Sequence, residues 1–141
     1  MGNRDQDRLF DKWNEVKKRI QAQKRHVGFK EREIFWVRVG YNVGSEEYGK
    51  GNEFQRPVIV VRKLTPNLFF GVPLSTVLKD GDYFHTFTYQ TKKGEITACA
   101  MILQLRAFDK KRLMGRIGMV PKQDYIEIIE KIRRIFSPPS E

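Results

Sequence analysis

The chain has 141 residues, a formal net charge of +10 at neutral pH, and 40% hydrophobic residues. That length suits one domain with a fair-sized core, and the excess positive charge points to a polyanionic partner. No apolar run reaches the roughly 18 residues of a membrane span, the N-terminus lacks a signal-peptide core, and one cysteine with two histidines leaves no zinc cluster. The expectation is a cytoplasmic protein that needs no membrane, metal or cofactor.

The first predicted element is an amphipathic helix over residues 3–25, an N-terminal extension occupying residues 1–30. Leu9, Trp13, Val16 and Ile20 recur at spacings of three and four, which sets them on one face. Acidic residues lie early and basic ones, Lys24 and Arg25 among them, lie late, in the order the helix dipole favours. His26 follows as a solvated residue, and Gly28 is a stop signal.

The domain proper is expected over residues 31–141. Residues 34–39 and 57–63 are β-branched and aromatic runs that read as strands. Between them lies a polar, Gly-rich connection, residues 41–55, too long for a tight turn and of the kind that is usually functional or disordered. At its end Pro57 biases Arg56 towards extended geometry, holding a cation at a strand entrance under the loop.

A third strand is expected over residues 68–74, ended or placed at an edge by Pro73, with Ser75 and Thr76 directly after it. Residues 83–89 alternate along a fourth strand, with Tyr83, His85, Phe87 and Tyr89 on one side. Residues 95–106 read as the longest strand, apolar enough at its centre to be buried on both faces, with Cys99 as a small buried hydrophobe. Asp109 is expected to cap a helical turn, residues 115–120 to form a last strand, and Pro121 to open a helix. Tyr125, Ile128, Ile129, Ile132 and Ile135 share one face of that helix. Most aromatics, including Trp36, Phe69, Phe70 and Phe87, are expected in the core. The fold class is α+β: a curved antiparallel sheet or small barrel with a helix at each chain end.

Three segments in order resemble the MazF/PemK family of toxins. The first joins residues 34–37, a loop with Gly44, Ser45 and Glu46, and Arg56-Pro57 leading an apolar strand. The second is Val72, Pro73, Leu74, Ser75 and Thr76. The third runs from Gln104 and Arg106 through Asp109 and Lys110 to Arg112 and Leu113. The resemblance covers residues 31–136. It implies an SH3-like curved sheet, a homodimer, metal-independent cleavage of single-stranded RNA, and silencing by an acidic antitoxin. Residue by residue it implies catalytic roles for Arg56, for Ser75 in place of the family's threonine, and for Glu46, with Thr76 as an alternative hydroxyl. The loop is longer than the family's, and the N-terminal helix has no counterpart in its short members.

The residues suit that chemistry. Attack of a 2′-hydroxyl on phosphorus, with loss of the 5′-oxygen and formation of a 2′,3′-cyclic phosphate, needs positive charge on the phosphorane. A guanidinium presents its donors in a fixed fork for that task. Ser75 or Thr76 can bond a non-bridging oxygen, and Glu46 can act as a base or orient Arg56. Single-stranded RNA calls for cations and stacking faces, and Tyr41, Tyr48, Lys50, Phe54, His85 and Gln104 are the candidates. Two other classes remain open. One is a toxin of the same fold that performs no chemistry and binds a protein such as DNA gyrase through Tyr125, Ile128 and Ile132. The other is a plain nucleic-acid-binding module.

Overall fold

The computed structural model describes residues 3–23, 27–44, 46–51 and 53–140. Lys24, Arg25, His26 and Ser45, singled out above, lie outside the described residues. The elements are α1 (Asn3–Ala22), β1 (Glu33–Arg38), β2 (Gln55–Thr65), β3 (Leu68–Ser75), β4 (Phe84–Thr91), β5 (Gly94–Met101), β6 (Arg106–Asp109), β7 (Leu113–Met119) and α2 (Lys122–Phe136). All strand pairs are antiparallel, in the order β4-β5-β3-β2-β1-β7, with β6 on β3.

The expected long strand over residues 95–106 is two strands. It breaks after Met101 into a 3-10 turn, Ile102–Gln104, and resumes as β6. The reason lies on the neighbouring strand. β6 pairs with β3 from Leu68 to Gly71, whereas β5 pairs with Leu74 and Ser75. Pro73 lies in the gap and offers no N–H to a ladder there. The sheet therefore forks at β3, which an unbroken apolar run could not reveal. The next turn follows expectation: Asp109 accepts a hydrogen bond from the Lys111 amide, 2.8 Å, and caps Lys110–Arg112.

The sheet curls until β7 approaches β4. A Cβ on Gly118 would stand 2.7 Å from the Gln90 carbonyl and 2.9 Å from the Tyr89 ring, so only glycine fits this approach. Ile34, Ile59, Val72, Leu74, Phe87 and Ile102 fill one face of the sheet, and Ile128 of α2 is fully buried among them. Tyr125, Ile129 and Ile132 pack against the same cluster. The Tyr125 hydroxyl donates to the Val61 carbonyl at 2.6 Å. The other face buries Phe35, Val37, Val58, Val60, Phe69 and Phe108.

Two expected core aromatics are exposed. Trp36 shares the Ile34 face of β1 and Phe70 the Val72 face of β3, but at 38% and 39% exposure both lie beyond the packed part of that face. α1 makes its own small core. Trp13, Val16 and Ile20, at the expected helical spacing, bury Phe54 of the β1–β2 connection, with Leu9 and Tyr41 alongside.

Candidate active site

Arg56 opens β2 opposite Val37 of β1. The β2–β3 register pairs Val58 with Pro73 and Ile59 with Val72, and extending it by two residues sets Arg56 across from Ser75. The side chain is buried at 8% exposure, and its donors are held from two sides. Nη1 donates to the Leu74 carbonyl at 3.2 Å, on the strand that carries Ser75. Nε donates to the Tyr48 carbonyl at 3.0 Å, and Nη2 lies 2.6 Å from Glu47 Oε1. A guanidinium has five N–H donors, so these three bonds fix the fork without exhausting it.

The carboxylate on Arg56 is thus Glu47, not its neighbour. Glu46 is exposed and accepts from the Val43 amide at 3.0 Å, closing a turn of its own loop. One long-range and one local restraint set this phase. Gln104 Oε1 accepts from the Glu47 amide at 2.9 Å, and Asn42 Nδ2 donates to the Val39 and Glu47 carbonyls at 3.1 and 2.7 Å. Gln104, expected to touch RNA, is part of the loop's anchorage. The nearby Arg106 has its pKa lowered by burial, an effect the Glu46 charge opposes. Arg112 is lowered to about 10 by burial and by Arg106, against the pull of Asp109.

Arg56, Ser75 and Thr76 line one pocket of about 440 Å³, together with Trp36, Lys50, Tyr89 and Ile117. Ser75 Oγ accepts from the Val77 amide at 3.1 Å, which fixes the oxygen and leaves its proton to donate. Trp36 brings an exposed ring to the rim, and Tyr89 a phenol whose pKa burial raises. Neither was a site candidate in the sequence. Trp36 pairs with Pro57, the neighbour of Arg56, and Tyr89 pairs with Ile96, which lines the same pocket. No described residue lining this pocket is a carboxylate or an imidazole, so it offers no hard-cation ligand set.

The remaining candidates fall in two other places. Tyr41, Tyr48 and Phe54 join α1. Tyr41 meets Phe10 at 4.7 Å and Tyr48 at 5.8 Å between ring centroids, and Phe54 packs on Trp13 at 5.5 Å. Phe54 is buried at 3% and unavailable for stacking. Its φ of +52° is strained for a side chain of that size, and it precedes Arg56 by two residues. The α1 core holds it there. Gly40 completes this seat: its φ is +97°, and a Cβ would collide with the Trp13 indole.

His85 lies elsewhere. Its Nε2 is 2.9 Å from Asp124 Oδ1 and 3.6 Å from Glu127 Oε2, both on α2. It joins β4 to α2 and does not line the Arg56 pocket. One nitrogen and two oxygens of this trio lie within 4.8 Å of one another, and the His85–Asp124 hydrogen bond, with Glu127 beside it, accounts for the arrangement.

A small, curled antiparallel sheet with a terminal helix is the fold of a class of toxin. The chain belongs to the PemK-like, MazF-like toxins of type II toxin–antitoxin systems, whose family model matches residues 30–136. No curated protein matches it in sequence. Among solved structures it is similar to an endoribonuclease in complex with its cognate antitoxin from a mycobacterial species, at 13% identity and a TM-score of 0.61. That match covers 81% of this chain and 100% of the other. MazF (form I) from Deinococcus radiodurans follows at 17% identity and 0.59, covering 77% and 96%. MazE–MazF (form II) from the same organism gives 13%, 0.58, 80% and 99%. At these identities the likeness concerns the fold. The family match begins after α1. No described helix is long and apolar enough to cross a membrane.

Proposed function

We propose that this toxin is a metal-independent endoribonuclease that cuts single-stranded RNA, leaving a 2′,3′-cyclic phosphate. The observation that carries the reading is the shared pocket. A buried, three-point-held guanidinium and two hydroxyls line the same cavity, with an exposed indole at its rim. Arg56 supplies charge to the phosphorane, and the Ser75 hydroxyl, with Thr76 beside it, donates to a non-bridging oxygen. Glu47 orients the guanidinium. When the phosphate takes up donors of that fork, Glu47 is the nearest carboxylate to accept the 2′ proton. Tyr89, whose phenol burial pushes above its ordinary value, is the pocket's phenolic donor for the departing 5′-oxygen. The bond formed is 2′-O to phosphorus and the bond broken is phosphorus to 5′-O.

The same reading makes the protein a cytoplasmic homodimer neutralised by an acidic antitoxin, in keeping with its charge of +10. The gyrase-type alternative needed Tyr125, Ile128 and Ile132 at the surface. Ile128 is fully buried, and the other two pack on the core.

The test is incubation of antitoxin-free protein with mixed-sequence single-stranded RNA in EDTA, with end-group analysis. Discrete fragments ending in cyclic phosphate are expected, lost in Arg56→Ala and in Ser75→Ala while both variants keep a cooperative melt. Intact RNA from the folded wild type would refute the reading.

A further inference from the structure

α1 lies outside the family match, yet it packs on the loop whose Glu47 and Tyr48 hold Arg56. Between helix and loop opens a cleft of about 630 Å³. Phe10 comes from α1, Tyr41 and Tyr48 from the loop, and the rings of Phe10 and Tyr48 stand at 71° and 63° to that of Tyr41. Phe10 and Tyr48 remain 40% and 48% exposed, although each touches a neighbouring ring. The carboxamides of Gln6 and Asn42 and the ammonium of Lys50 complete the lining.

We infer that this cleft is a nucleobase subsite, which takes an unpaired base of the RNA next to the scissile phosphate; the inference rests on the ribonuclease reading above. Three features select that occupant. Exposed aromatic faces offer stacking to any base, the Gln6 carboxamide offers a donor and an acceptor to a base edge, and Asn42, its amide donors engaged within the loop, offers its carbonyl oxygen. The third feature is continuity. Lys50 and Gly51 line both this cleft and the Arg56 pocket, so a strand with one phosphate at Arg56 passes Lys50 and delivers its neighbouring base between Phe10 and Tyr48. An apolar peptide would leave the Lys50 ammonium and the Gln6 carboxamide without partners. α1 then has a role that its packing alone does not require: it supplies one wall of the subsite.

The experiment uses the full chain and a single-stranded RNA made uncleavable by 2′-O-methylation, with 5-iodouridine placed at one position at a time. Irradiation and peptide mass spectrometry map the contact. Crosslinks to Phe10, Tyr41 or Tyr48 are expected from one position at a fixed offset from the cleavage site. Phe10→Leu keeps an apolar side chain against Tyr41 and removes the ring. It should keep the melting temperature within about a degree and weaken RNA binding about five- to a hundredfold, the range for one lost base stack. RNA that is cut by the wild type but crosslinks only around Trp36, or binds Phe10→Leu as tightly as wild type, overturns this inference and leaves the ribonuclease standing. RNA that is neither bound nor cut overturns both. An acidic peptide whose binding falls in Phe10→Leu while RNA affinity holds assigns the cleft to a protein partner and overturns the inference.

Discussion

Among the places where a basic side chain meets a carboxylate, the Arg56 and His85 sites differ in what surrounds them. At the loop, Arg56 meets Glu47 at 2.6 Å and faces a pocket of about 440 Å³. At the helix, His85 meets Asp124 at 2.9 Å, with Glu127 beside it, and ties β4 to α2. The chemistry of the side chains does not separate the two, since an imidazole with acid partners is a more familiar catalytic unit than an arginine. What separates them is open space beside the charge and a hydroxyl on the far wall. The loop pair has both, and the helix trio has its donors engaged across a packed joint.

The comparison is broken most decisively by Arg56→Ala. Removing the one buried cation of the pocket should lower kcat/KM for RNA by about a thousandfold, the upper range for losing one preorganised donor group. Cleavage that survives this change would move the site elsewhere, and His85 would be the first place to look.

The next largest effect distinguishes two adjacent glutamates. Glu47→Gln keeps a hydrogen-bonding oxygen at Arg56 but removes the charge, and should cost about ten- to a hundredfold in kcat. Glu46→Gln should change kcat less than twofold, because Glu46 bonds only within its own turn among the contacts seen. The reverse order of effects would mean that the loop rearranges before RNA is cut. His85→Ala gives the counterpart at the helix. It should leave cleavage within about threefold and lower the melting temperature by a few degrees, as losing one charge-assisted hydrogen bond of about 1–2 kcal/mol does.

The strands were legible because β-branched and aromatic runs alternate; Arg56 was singled out by the proline that follows it and Ser75 by the family resemblance, and the structure brings the two to one pocket. Asp109 as a cap followed from its residue type at the start of a turn, and Ile128 as a helix residue facing the core from spacing. The choice of Glu47 over Glu46 was not legible. It depends on Gln104, 57 residues away, holding the Glu47 amide and so setting the phase of an irregular loop. Trp36 was misplaced for a related reason: β1 buries both of its faces, and an apolar run does not say where the cover over the Ile34 face stops. The partner of α1 was hidden as well. A narrow apolar stripe announces that a helix packs on something, but not that Phe54, strained at φ +52°, is what it covers.

The smallest effect concerns alkaline stability, and it separates the pocket phenol from the one under α2. Burial raises the pKa of both Tyr89 and Tyr125; for Tyr125 the Glu31 charge adds to the rise, and Arg62 and Arg32 oppose it. A raised phenol binds its proton more tightly in the folded chain than in the unfolded one. Its contribution is complete below the ordinary value of about 10 and is lost as pH climbs through the folded value. The Tyr125 hydroxyl also donates to the Val61 carbonyl, a bond that ionisation destroys. Tyr125→Phe should therefore cost about 1 kcal/mol at pH 8, and the deficit should shrink as denaturant midpoints are followed above pH 10. Tyr89→Phe should share that alkaline trend yet lower kcat at pH 8, because only Tyr89 faces the pocket. Equal activity in the two variants would remove Tyr89 from the chemistry and leave Arg56, Glu47 and Ser75 to supply it.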